Sequence, residues 1–240
     1  MKLLAIDVGN TSTTFGVFEG KDLALKKKWD VETILLPAYL TKKGFSDKIF
    51  VIVSSVVPDI NRFIRKKFKK PIFILPDKVP GITLKVKKPA EVGADRVVNA
   101  LAARNMFGGN LIVIDFGSAT TFDIVSESGE YQGGAIAPGI GFGRDILHER
   151  TAQLPLVKVM EPKSVIGKDT HEAILSGLIY GYASLVDGMI TRILTETGKP
   201  ARVVATGGFA RLIKKYSSKI DIIDEDLTLK GLKMVFEKEK

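Results

Sequence analysis

Three short stretches of this chain bring a carboxylate or hydroxyl together with glycine at the end of an apolar run. They are Asp7-Val8-Gly9-Asn10-Thr11-Ser12-Thr13-Thr14, Asp115-Phe116-Gly117-Ser118-Ala119-Thr120, and Thr206-Gly207-Gly208. In the first, glycine lets the backbone turn and approach a ligand with no Cβ in the way. Asn10, Thr11, Ser12, Thr13 and Thr14 offer amides and hydroxyls to phosphate oxygens. A carboxylate closing a buried strand beside such a cradle suits a bound cation. The same residue types also suit a hairpin turn whose Asp and Asn satisfy local backbone groups.

The elements that must hold these stretches are legible from apolar patterning. Leu3 to Ile6 is an uninterrupted apolar run, the pattern of a strand buried on both faces, and Asp7 stands at its end. Strands over 13–19 and 23–29 follow as a meander, with a turn at Gly20-Lys21-Asp22. A helix over 32–43 stopped by Gly44, a strand over 48–54, and a basic helix opened by Pro58-Asp59 come next. Short strands over 72–75 and 82–86 lead to Pro89 to Arg96, where a helix to Met106 begins. Phe107-Gly108-Gly109-Asn110 then reads as a boundary between halves 1–109 and 110–240.

The second half restates the first. Shifted by 108 positions, Leu111 to Asp123 lies over the opening stretch, with Asp7 on Asp115, Gly9 on Gly117, Ser12 on Thr120 and Thr13 on Thr121. Internal similarity of this kind indicates a duplicated unit. Two facing glycine loops would form a clamp for a nucleotide. Strands over 120–126 and 131–137 and a helix to Glu149 are expected, then a connector over 154–167. From Asp169 to Thr197 apolar residues recur at helical spacing, as one long helix or two consecutive ones. Gly198 ends that run, a buried strand over 202–205 enters Thr206-Gly207-Gly208, and a helix, a short strand and a last helix complete an α/β chain.

Composition narrows the chemistry. The chain has no cysteine, which excludes disulfides, thiolate metal sites and cysteine nucleophiles. No continuous apolar run approaches the roughly 20 residues that span a bilayer, and a signal-peptide pattern is missing, so a cytoplasmic protein without a membrane partner is expected. The net charge of +9 gathers in runs at 26–28, 65–70, 85–88 and 214–215. No aromatic residues interleave there as a stacking platform, so these runs read as solvated faces and no nucleic-acid partner is expected. His148 and His171 lack metal-site spacing, Ser54-Ser55 lack a nucleophile elbow and read as a turn, and Trp29 reads as core or subunit contact.

The three glycine turns, in this order and spacing, are similar to the two phosphate motifs and the adenosine motif of the actin and sugar-kinase superfamily. With Val92-Gly93-Ala94-Asp95-Arg96, Gly133 to Gly139 (GGAIAPG) and Gly167 to Thr170 (GKDT), the full chain resembles a type III pantothenate kinase. The resemblance implies duplicated ribonuclease H-like (actin-like) domains, each a mixed sheet flanked by helices.

It further implies the transfer of phosphate from ATP to pantothenate, giving 4′-phosphopantothenate, the first step of coenzyme A biosynthesis. Asp7, Val8, Gly9, Asn10, Thr11, Ser12, Thr13 and Thr14 would embrace the ATP phosphates, with Asp7 near Mg²⁺. Ser118, where the family often has Thr, and Gly207 and Gly208 would also contact ATP. Asp115 would hold a monovalent cation, K⁺ or NH₄⁺. Gly93, Ala94, Asp95 and Arg96 would bind pantothenate, with Asp95 the catalytic base for its primary hydroxyl and Arg96 keeping that carboxylate ionised. Thr170 would reach the acceptor across a homodimer interface. One departure is Val86, where many members carry an aromatic residue against the acceptor. The alternatives are a same-fold kinase for another small hydroxyl compound and a regulator of the Bvg accessory factor type.

Overall fold

The computed structural model describes residues 2–30, Tyr39 and 49–238, so the helix expected over 32–43 and its stop at Gly44 lie outside the described residues. The chain divides into two compact units. One comprises Met1–Met106, Gly129–Tyr131 and Asp226–Lys240, the other Phe107–Ser128 and Gln132–Glu225.

In the first unit β1 (Lys2–Val8) is the hub. It pairs antiparallel with β2 (Ser12–Glu19) and parallel with β4 (Phe50–Ser55), while β3 (Asp22–Asp30) and β5 (Ile72–Phe73) extend the sheet on either side. The sheet order is β3-β2-β1-β4-β5. The uninterrupted apolar run has a direct cause, since alternate residues feed two cores. Leu4, Ile6 and Val8 pack with Phe15, Val17, Val53 and Ile64 of helix α1 (Pro58–Lys67). Leu3 and Ala5 pack instead with Val97, Val98 and Leu101 of α2 (Ala94–Phe107) and with Leu229, Leu232, Val235 and Phe236 of α6 (Leu227–Lys238). Trp29 joins the first core, edge-on to Phe15 at 4.8 Å and to Tyr39 at 5.1 Å.

The last helix is thus part of the first unit, fastened to α2 by two devices. Thr228 Oγ1 donates to Asn99 Oδ1 at 2.8 Å. Gly231 brings the two backbones together, for a Cβ there would lie 2.4 Å from the Val98 carbonyl oxygen.

The second unit repeats the topology. β7 (Leu111–Phe116) is its hub, antiparallel to β8 (Ala119–Val125) and parallel to β10 (Arg202–Gly207), which pairs with β11 (Ile222–Ile223). β9 (Glu130–Pro138) follows β8, so the order β9-β8-β7-β10-β11 matches β3-β2-β1-β4-β5 strand for strand. Short β6 (Thr83–Leu84) pairs with the first two residues of β9, which belong to the first unit. Both short edge strands fall well inside the expected 72–75 and 82–86, because only two residues of each find ladder partners.

Helices α3 (Ile140–Glu149), α4 (Thr170–Thr197) and α5 (Ala210–Lys214) complete the second unit. Ile112, Ile114, Phe116 and Phe122 pack against Ile179, Ala183, Val186 and Ile190 of α4 and Ile213 of α5. The 28 residues of α4 are one helix, not two. Asp169 caps it by accepting from the Glu172 amide at 2.8 Å, and Gly198, at φ 62°, closes it. By length and composition alone α4 could cross a membrane, but Glu172, Asp187, Arg192 and Glu196 interrupt its apolar residues and 44% of its apolar window is buried inside the protein.

Candidate active site

Each hub strand ends in an aspartate at the same place in the pattern. Asp7 lies in register with Thr14 on β2 and Ser54 on β4, and Asp115 with Thr121 on β8 and Thr206 on β10. Each half-buried carboxylate therefore has a hydroxyl residue beside it on both neighbouring strands. Ser54 and Thr206 are buried, at 1% and 2% exposure, so Ser54 is part of this arrangement and only Ser55 shapes the turn, its Oγ accepting from the Val57 amide at 3.2 Å. The signal for Ser54 was its position at a strand end beside Asp7, visible only once β1 and β4 are known to be parallel.

The loops that follow differ by one residue. The first spans 9–12 between the pairs Val8–Thr13, the second spans 117–119 between Phe116–Thr120. Thr13 therefore corresponds to Thr120 and Thr14 to Thr121, which corrects the uniform shift of 108: the shift becomes 107 after the turn. Each loop is closed by its own glycine, Gly9 N–H donating to Ser12 O at 3.0 Å and Gly117 N–H to Ala119 O at 3.1 Å. Neither glycine has a positive φ, so neither is required by backbone conformation. Within the first loop Asn10 and Thr11 are exposed.

Two other glycines shape the second loop. Gly139 N–H donates to Ser118 O at 3.0 Å, and Gly208 N–H to Phe116 O at 3.1 Å. A Cβ on Gly139 would lie 2.3 Å from Ser118 O and 2.5 Å from Gly117 O. A Cβ on Gly207, whose φ is +90°, would lie 2.5 Å from Asp115 Oδ1 and 2.6 Å from both the amide nitrogen and carbonyl oxygen of Phe116. Thr206-Gly207-Gly208 thus lies directly against Asp115 and the loop carrying Ser118. The atoms packed closest to Gly207 are Asp115 Oδ1 and the Phe116 carbonyl oxygen and amide nitrogen, and the two oxygens are the donor type that suits a hard cation. Thr121 Oγ1 donates to Asp123 Oδ2 at 3.2 Å, and Asp123 is a buried carboxylate, 1% exposed, on the same face of β8. Its phase with Thr121 is readable in the sequence, but no motif singles it out.

Asp95 occupies the first turn of α2, the helix that packs on the Leu3–Ala5 face of β1, the face that Asp7 continues. Its Oδ1 accepts from the Arg96 amide at 2.9 Å. Burial pushes the carboxyl above its ordinary range, outweighing the Arg96 amide and guanidinium, which act in the opposite direction. Arg96 favours the ionised form as expected, but desolvation is the larger effect and sets the net direction. Gly93 leaves room for it, since a Cβ there would sit 2.4 Å from Asp95 Oδ1. The Arg96 guanidinium lies 5.8 Å from the centre of the Tyr131 ring. Ala94 is buried, Val86 is half-buried, and Thr170 is exposed on the first turn of α4. Gly167 of the same motif packs against that turn, where a Cβ would meet the Ala173 nitrogen at 2.3 Å.

The family model for type III pantothenate kinase matches residues 3–192. The chain belongs to the type III pantothenate kinase family. A type III pantothenate kinase of Desulfosudis oleivorans is 43% identical over 251 residues, covering 97% of this chain and 98% of the relative. Among solved structures, a Baf-family transcriptional activator from Campylobacter jejuni matches with a TM-score of 0.63 at 22% identity, covering 98% of each chain. Component A of (R)-2-hydroxyglutaryl-CoA dehydratase from Acidaminococcus fermentans matches with a TM-score of 0.58 at 15% identity and full coverage of both chains. At those identities the two structures bear on fold alone, and the fold is the duplicated actin and sugar-kinase α/β architecture. For this family member the VGADR, GGAIAPG and GKDT stretches thereby acquire local structural reasons: each has a glycine at which a Cβ would collide with a neighbouring atom.

Proposed function

We propose that the chain phosphorylates pantothenate from ATP, giving 4′-phosphopantothenate in the first step of coenzyme A biosynthesis. The observation that carries this reading is near full-length identity of 43% to a curated type III pantothenate kinase. Asp95 is assigned as the base for the primary hydroxyl of the acceptor, with Gly93, Ala94 and Arg96 around it and Thr170 contributed by a second subunit. Asp7 to Thr14, Ser118, Gly207 and Gly208 are assigned to ATP. Phosphoryl transfer passes through a loose transition state, so positioning and charge neutralisation account for most of the catalysis. Mg²⁺ on the phosphates, near Asp7, supplies that neutralisation when bound.

Asp115 is assigned to a monovalent cation, K⁺ or NH₄⁺. Support comes from the Asp115 carboxylate and the Phe116 carbonyl meeting at Gly207, two oxygen donors of the kind a hard cation takes. Purified protein incubated with labelled ATP and pantothenate is expected to transfer phosphate in K⁺ or NH₄⁺ buffer and to lose most of that rate in Na⁺. No phosphate transfer to pantothenate in any buffer would overturn the activity, and equal rates in Na⁺ and K⁺ would overturn the cation assignment alone.

The homodimer reading rests on α4. Ala173, Gly177, Gly181, Ser184 and Gly188 lie on its exposed side, and the space where a Cβ would stand on those three glycines is open. Small residues of that kind let another helix approach closely. Light scattering is expected to give twice 26.2 kDa, and a monomer at micromolar concentration would count against it. A cytoplasmic location agrees with the proposed use of ATP. As a unit of duplication the halves 1–109 and 110–240 remain the preferred division.

A further inference from the structure

Among the described residues, three buried side-chain polar atoms have no hydrogen-bond partner: Thr13 Oγ1, Thr120 Oγ1 and Asn61 Oδ1. The two threonines stand at equivalent positions of the two units, each the first residue of its strand to pair back across the loop, with Val8 and with Phe116. They are 1% and 0% exposed. By alternation Thr13 shares the face of Phe15 and Val17, and Thr120 shares the face of Phe122, so both hydroxyls enter the helix-covered cores. A buried hydroxyl without a partner costs stability, and valine would fill the same space without that cost. One orphan could be an accident of packing. The same orphan at the same station of two diverged loops requires a reason.

The residue before each threonine supplies one. Ser12 O and Ala119 O, the carbonyls that accept from Gly9 and Gly117, belong to the peptide units that run into Thr13 and Thr120. In this state each glycine amide is consumed inside its own loop. An amide that turns to a phosphate oxygen must leave that carbonyl, which then lacks a donor that the adjoining threonine hydroxyl can supply. We propose that Thr13 and Thr120 are a matched pair of positioning residues, whose hydroxyls lack a partner while the glycine amides bond within their own loops and take up backbone partners when nucleotide phosphates draw those amides away. This deepens the nucleotide reading of the two loops and rests on it.

Thermal stability and nucleotide affinity separate the possibilities. Thr13→Val and Thr120→Val are each expected to melt at or above the temperature of the parent chain without ligand. Each should bind Mg-ATP about three- to ten-fold more weakly, the loss of one hydrogen bond made only in the bound state. Thr13→Ser and Thr120→Ser, which keep the hydroxyl, should retain parental affinity even though they lose a core methyl and melt lower. Valine variants that bind Mg-ATP as the parent does, or that melt well below it while ligand-free, would overturn the proposal. If the parent chain itself shows no Mg-ATP binding by calorimetry, the nucleotide reading fails first, and the pairing falls with it.

Discussion

Asp95→Asn is expected to lower kcat by about 10²- to 10⁴-fold, the range associated with a positioned general base, while leaving ATP affinity unchanged. Asparagine keeps an oxygen able to accept from the Arg96 amide, so the first turn of α2 should hold. Stability should move in the opposite direction to activity. The folded carboxyl titrates above its ordinary value because it is buried. Between the unfolded and folded values the folded chain therefore holds more proton than the unfolded chain. Stability falls as pH rises through that window, and at neutral pH the ionised group opposes folding. Removing the charge relieves that opposition, so the variant should melt no lower than the parent at pH 7 and should lose its advantage in acid. The same shift predicts a pH profile for the parent, in which kcat declines on the acid side at a pH above that of an ordinary carboxylate. Near-normal turnover in Asp95→Asn would remove the base assignment, whereas a large fall in melting temperature would show a structural role.

The second large effect is expected at Gly207. Alanine there must adopt a φ of +90° and place a methyl 2.5 Å from Asp115 Oδ1 and 2.6 Å from two backbone atoms of Phe116. Left-handed backbone in a non-glycine residue costs about 1–2 kcal/mol, and overpacking adds about 1–3 kcal/mol. With roughly 2–4 °C per kcal/mol for a chain of this size, a fall of about 4–20 °C in melting temperature is expected. Loss of measurable ATP binding should accompany it, because Asp115 and the second loop are displaced. Gly139→Ala separates the two causes. Its φ of −75° suits any residue, so only the collisions with Ser118 O at 2.3 Å and Gly117 O at 2.5 Å remain. A smaller melting shift with an equal loss of ATP binding is expected there. Parental ATP affinity in both variants, by isothermal titration, would show that these glycines do not shape a nucleotide site.

Much of the fold was readable because strong local patterns and the tertiary arrangement agree. The run Leu3 to Ile6 announces burial on both faces, and two cores receive it. The echo at Leu111 announces a second hub strand, and the strand orders coincide. What was not readable depends on register and distance. Thr13-Thr14-Phe15 lies on Thr120-Thr121-Phe122 only at a shift of 107, whereas the hub strands align at 108, so the missing loop residue is present in the sequence but masked by the stronger strand match. Gly9 and Gly117 drew attention as loop glycines, yet the glycines with no room for a Cβ beside the second loop are Gly139 and Gly207, 22 and 90 residues after Gly117. The ionisation of Asp95 turned on a balance between burial and Arg96 that residue types alone do not decide. An amphipathic final helix reveals that it needs a partner without revealing which sheet provides it.

That final helix fixes the order in which the chain can mature. Leu229, Leu232, Val235 and Phe236 form one side of the core beneath β1, so that strand waits for a helix made more than 200 residues later. The second unit, drawn from 107–225, has all its strands and helices available earlier. During synthesis the amino-terminal sheet therefore stands with one apolar face uncovered until residues 227–238 have been made. The first glycine loop is borne on that sheet, so its support is completed by residues more than 200 positions downstream.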